Sequence, residues 1–103
     1  VTLWSGNHIG HHSVIEDNAF ISSHVVISGQ VRVGENCFMG VNAAVAHNVQ
    51  IGKDSWISPG VVVLRNAEDG SFFRAPKCKP EPISAPSYFK VEADNTAIPA
   101  SNF

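Results

Sequence analysis

Aliphatic positions recur along this chain at a spacing of six. Stepping from Leu3 gives Leu3, Ile9, Ile15, Ile21, Ile27, Val33, Met39, Val45, Ile51, Ile57 and Val63, an unbroken register of aliphatic residues and one methionine. Four residues after each stands a small or medium-sized one: Asn7, Ser13, Ala19, Val25, Val31, Cys37, Ala43, Val49, Ser55, Val61 and Ala67. Three residues after each comes Gly6, His12, Asn18, His24, Gln30, Asn36, Asn42, Asn48, Asp54, Gly60 or Asn66. That last set is dominated by Gly, Asn and Asp, the residues that tolerate positive φ, and His is also enriched there. The pattern predicts a turn every six residues with an inward aliphatic side chain between turns. Helical spacing of three and four is absent. Three turns close a triangular coil of eighteen residues, and stacked coils pair as short parallel strands ~4.8 Å apart. The fold expected is all-β: a parallel β-helix from about residue 3 to 67, a little under four coils.

The eighteen-residue coil sorts the outward positions into columns. Phe20, Phe38 and Trp56 form one; His8, Val26, Ala44 and Val62 a second; Val14, Arg32, Gln50 and Glu68 a third. Two outer faces are therefore apolar or aromatic. Such faces rarely stay solvated, which points to a subunit interface or a cofactor wall, the alternative being a stack covered by the chain's own tail. The hexads stop after residue 67. The segment from Glu68 to Phe103 holds Pro76, Pro80, Pro82, Pro86 and Pro99 together with Phe72, Phe73, Tyr88 and Phe89. It reads as an extended, helix-poor tail that docks on or caps the β-helix. Two units follow, 1–67 and 68–103.

Composition narrows the classes. A chain of 103 residues is room for one small domain, and 44% hydrophobic residues suit a folded one. A formal net charge of −2 gives no support for nucleic acid or an anionic membrane as partner. No apolar run approaches the ~20 residues of a membrane span. Cys37 and Cys78 have neither CxxC spacing nor the density of a disulfide scaffold. The expectation is a soluble cytoplasmic protein without a metal site.

His12 and His24 occupy turn slots and read as structural. His11, at an outward corner, shares its column with Gly29 eighteen residues on and His47 thirty-six on. That column suits acyl transfer from a thioester. The reaction needs a base to deprotonate a hydroxyl or amine and an N–H donor for the oxyanion. A neutral imidazole at His11 supplies the first, and the backbone of Gly29, with no side chain in the way, the second.

The units Ile9-Gly10, Val33-Gly34, Met39-Gly40, Val45-Ala46 and Ile51-Gly52 resemble those of the left-handed β-helix acyltransferases. The left hand comes from that resemblance; the period alone does not give it. The stretch from Gly6 through Ser13 to Gly29, and Val33 to Asn42, is similar to the sialic-acid O-acetyltransferase family, which includes the bacillosamine- and perosamine-type sugar acetyltransferases. A weaker likeness extends to Arg74-Ala75-Pro76-Lys77. The resemblance implies a homotrimer that transfers acetyl from acetyl-CoA to a sugar or sugar-nucleotide acceptor. It places the base on His11 and the oxyanion donor on Gly29. Contacts to acetyl-CoA fall near Phe20, Gly29, Val41 and Pro59, and its phosphates are expected at Arg65 or at Arg74, Lys77 and Lys79. The family's N-terminal nucleotide-sugar domain has no counterpart in the sequence, so the likeness is to a catalytic half. Phe20 stands where bacillosamine-type enzymes have histidine, and His12 where they have an acid.

Two other classes compete. A non-catalytic trimeric β-helix scaffold would leave the column without chemistry. A metal site like that of the γ-class carbonic anhydrases would use His11 and His47, but two coils put them ~9.5 Å apart within one chain, and Gly52 stands where a further ligand is needed.

Overall fold

The computed structural model describes residues 1–89. Its elements are twelve two-residue strands and a short helix: β1 (Thr2–Leu3), β2 (His8–Ile9), β3 (Val14–Ile15), β4 (Phe20–Ile21), β5 (Val26–Ile27), β6 (Arg32–Val33), β7 (Phe38–Met39), β8 (Ala44–Val45), β9 (Gln50–Ile51), β10 (Trp56–Ile57), β11 (Val62–Val63), β12 (Phe72–Phe73) and α1 (Ala85–Phe89). The strands form three parallel sheets, ordered β1-β4-β7-β10-β12, β2-β5-β8-β11 and β3-β6-β9. Partners lie eighteen residues apart, as in His8↔Val26, Arg32↔Gln50 and Phe38↔Trp56. The protein is a parallel β-solenoid of about four turns, as the hexads predict.

Each strand turns its second residue inward. From Ile21 to Val63 every hexad aliphatic is buried, and Ala19, Val25, Val31, Cys37, Ala43, Val49 and Val61 fill the prism beside them. Burial of an Ile or Val side chain contributes about 1.5–3 kcal/mol, so the stack of coils is its own core. Leu3 and Ile9 are exposed because the first coil has a neighbour on one side only. There the inward residues are polar and bond the backbone: Asn7 Oδ1 accepts the Val25 N–H at 2.9 Å, and Ser13 Oγ accepts that of Val31 at 3.2 Å while donating to the Ser28 carbonyl at 2.9 Å. Ten of the turn-slot residues, from Gly6 to Gly60, have positive φ. Gly10 shows why glycine follows the aliphatic in a hexad: a Cβ there would fall 2.5 Å from the Ser28 carbonyl carbon of the next coil.

The last turn departs from the count. The solenoid continues past residue 67, because β12 pairs with β10 through Trp56↔Phe72 and Ile57↔Phe73, a spacing of sixteen. Ala67 bridges to Ile51 with the same spacing. Two residues are therefore missing from the corner between β11 and Ala67. Asn66 is not among the positive-φ residues, and Gly70, at φ 73, takes the turn slot above Asp54 instead. The Asn66 side chain replaces the shortened corner's backbone, its Oδ1 accepting the Gln50 N–H at 2.8 Å. Glu68 consequently leaves the Val14–Arg32–Gln50 column. Ala75 packs against the core and Tyr88 is exposed. Residues 90–103, with Pro99, lie outside the described residues. No helix among the described residues is long and apolar enough to cross a membrane.

The cysteines make a direct check on the register. Burial pushes the Cys37 thiol up from its ordinary pKa, and the thiol donates to the Gly52 carbonyl; Cys78 is exposed. A thiol reagent is expected to titrate Cys78 alone in the native protein and both cysteines after denaturation.

Candidate active site

Two corners of the prism flank the β2-β5-β8-β11 sheet, and each carries part of the predicted site. The corner that follows this sheet holds His11, Gly29 and His47 one above another: the Gln30 N–H donates to the His11 carbonyl at 2.8 Å and that of Asn48 to the Gly29 carbonyl at 2.9 Å. Arg65 lies in the shortened turn at the same corner, after β11. The corner that precedes the sheet holds Val41 and Pro59.

At the first corner the His11 ring fills the space that a side chain at Gly29 would occupy. A Cβ on Gly29 would lie 2.6 Å from His11 Nε2. What glycine leaves room for there is the ring and not a positive φ, because Gly29 is absent from the positive-φ set. The missing side chain also lets the His11 ring reach toward His47; their centroids are 6.1 Å apart, closer than a two-coil backbone spacing. The amide N–H of Gly29 donates in none of the coil-to-coil backbone bonds, and its nitrogen packs over Gly10, where a Cβ would lie 2.6 Å from it. His12 takes its predicted turn slot at φ 57, and it does more: its Nδ1 is 2.9 Å from His11 Nδ1. His24 also keeps its slot, at φ 58, its ring lying against Gly6. Among the described residues no group of three or more His, Cys, Asp or Glu side chains is arranged to hold a metal ion.

At the second corner Phe20, Val41 and Pro59 line one open groove of about 410 Å³, with Trp4, Ser22, Ser23, Phe38 and Gly40. Its floor belongs to an aromatic ladder longer than the predicted column. Trp4 meets Phe20 edge-on at 5.2 Å; Phe20 stacks on Phe38 at 5.6 Å, Phe38 on Trp56 at 4.1 Å, and Trp56 on Phe72 at 6.3 Å. The Arg74 guanidinium closes the ladder 5.4 Å above the Phe72 ring. Lys77 and Lys79 are exposed and belong to no strand or helix. The structure thus gathers His11 with Gly29, and Phe20 with Val41 and Pro59, but sets the two groups at different corners of the chain. The sequence reasoning missed Trp4, two residues out of the column's register, and Phe72, displaced by the shortened corner.

Residues 30–65 match a family model described as the hexapeptide repeat of succinyl-transferase. The repeat and the parallel solenoid built on it fit a hexapeptide-repeat acyltransferase. Among solved structures, one similar chain is a GDP-perosamine N-acetyltransferase from Caulobacter crescentus, a histidine-to-alanine variant in complex with CoA and GDP-perosamine. It shares 28% identity over 68% of this chain and 39% of its own, at a TM-score of 0.42. The present chain therefore spans well under half of that protein. No curated protein matches the sequence.

Proposed function

We propose that the protein transfers an acetyl group from acetyl-CoA to a hydroxyl or amine of a sugar or sugar-nucleotide acceptor, with His11 as general base and the Gly29 N–H as oxyanion donor. The observation that carries this reading is the His11 imidazole seated over Gly29. His11 Nε2 takes the acceptor's proton as the acceptor oxygen or nitrogen attacks the thioester carbonyl. The tetrahedral oxyanion lies against the Gly29 amide. Its collapse breaks the C–S bond, and the departing thiolate takes the proton from the imidazolium, leaving CoA and the acylated acceptor.

The groove lined by Phe20, Val41 and Pro59 suits the apolar arm of CoA, and Arg65 or Arg74, Lys77 and Lys79 its phosphates. With the two groups of site residues at different corners, a single protomer does not complete the site. Of the two faces open to a homotrimer, the aromatic and the His8–Val62, the second lies between the two corners, so packing through it, with left-handed coils, sets the histidine corner of one copy beside the groove of the next. Val26 and Val62, exposed on that second face, support such a contact. A cytoplasmic setting belongs to the same reading.

Calorimetry with acetyl-CoA is expected to show saturable binding. Reversing Lys77 and Lys79 together to glutamate should weaken it, most strongly at low salt. Sedimentation is expected to give a trimer at micromolar concentration. A protein that binds no acetyl-CoA is a scaffold, and a stable monomer removes the shared site.

A further inference from the structure

We propose that His12 is the positioning residue of this site: its Nδ1 accepts the proton carried by His11 Nδ1, and so keeps the lone pair of His11 on Nε2, above Gly29. The inference rests on the reading of His11 as the base. It starts from the 2.9 Å separation of the two Nδ1 atoms, with ring planes 87° apart. An N–H···N bond needs one protonated and one bare nitrogen, so the pair has two arrangements. If His12 donates, neutral His11 carries its proton on Nε2 and presents a donor over Gly29, which is useless to a base. If His11 donates, Nε2 is bare on the side of Gly29. Only the second arrangement survives proton uptake by His11: the imidazolium still donates from Nδ1, and the bond becomes charge-assisted.

A second observation separates this role from turn-making. The slot that His12 fills, at positive φ, is filled at other corners by Asn18, Asn36, Asn42 and Asn48, and the residue above His12 in its column is Gln30 at φ 58. The backbone there does not call for an imidazole. His47 and Asn48 repeat the corner two coils up without a side-chain hydrogen bond between them, so the His11–His12 contact is a property of this pair and not of the corner. Among the described residues, the titratable side chains with a hydrogen bond or ring contact to His11 are His12 and His47.

The test compares wild type with His12→Gly and His12→Asp. Glycine suits φ 57 and removes the acceptor; aspartate restores one. Nitrogen-15 NMR of the histidine rings, at a pH where they are neutral, is expected to show His11 as the Nδ1–H tautomer in the wild type and shifted toward Nε2–H in His12→Gly. Turnover of His12→Gly should fall about 10- to 100-fold with the KM for acetyl-CoA unchanged. His12→Asp should recover most of it, with the acid limb of the pH–rate profile moved to higher pH because a carboxylate favours the imidazolium. His11 found as Nε2–H in the wild type overturns the proposal. So does a His12→Gly variant with unchanged tautomer and turnover where His11→Ala is inactive. If His11→Ala also turns over normally, the base assignment falls, and the tautomer spectra still decide the pairing.

Discussion

Replacing His11 with alanine is expected to cut turnover by about 10²- to 10⁴-fold while leaving acetyl-CoA affinity nearly intact. That range corresponds to about 2.7–5.5 kcal/mol of lost transition-state stabilisation. The split follows from geometry: His11 sits at the corner after the β2-β5-β8-β11 sheet, whereas Phe20, Val41 and Pro59 line a groove at the other. Steady-state kinetics alongside calorimetry reads both halves. Gly29→Ala should reproduce much of the kinetic loss through a different route. Its Cβ would fall 2.6 Å from His11 Nε2, so the ring must leave the space it occupies although the amide N–H remains. His24→Ala, at a turn slot of the other corner with its ring against Gly6, should act mainly on stability.

Ile27→Asp is expected to unfold the chain. Ile27 is wholly buried and pairs in register with Ile9 below and Val45 above. An aspartate there loses the aliphatic contacts and places a carboxyl group in the core cluster that includes Val25, Val31, Val33 and Val45. Such a substitution costs about 4–5 kcal/mol or more, against a total stability of about 5–15 kcal/mol for a typical domain. Solenoid coils also depend on their neighbours, so loss of a middle coil leaves those on either side uncapped. Far-UV circular dichroism and a thermal melt report the outcome. Val26→Asp, one residue away and 44% exposed, is the control and should leave the coils formed.

The sequence made the solenoid legible because its two determinants are both periodic: the inward aliphatic and the positive-φ corner. The same period put Gly29 above His11 and Phe38 above Phe20. What escaped it was local. Two residues absent between Val63 and Ala67 shift everything beyond by one-third of a strand-and-turn unit, so Phe72 joins the ladder and Glu68 leaves its column. The Asn66 side chain that makes the short corner workable carries no periodic signature. At the site, register fixes which backbones stack, but ring orientation decides chemistry. That His11 leans over Gly29 toward His47, and bonds His12, depends on side-chain torsions that spacing does not encode. The separation of His11 from the groove at Val41 and Pro59 was implicit in the eighteen-residue coil, since 11 and 41 fall at different corners.

The central claim, that the corner of His11 and Gly29 carries acyl transfer, is tested most directly by incubating the protein with acetyl-CoA labelled in the acetyl group and a panel of amino- and hydroxy-sugars, free and nucleotide-linked. The account predicts label on at least one acceptor, with one CoA released per acetyl transferred, and loss of that transfer in His11→Ala. Equal rates of transfer by wild type and His11→Ala with every acceptor that works, or bound acetyl-CoA with no label on any acceptor, would contradict it.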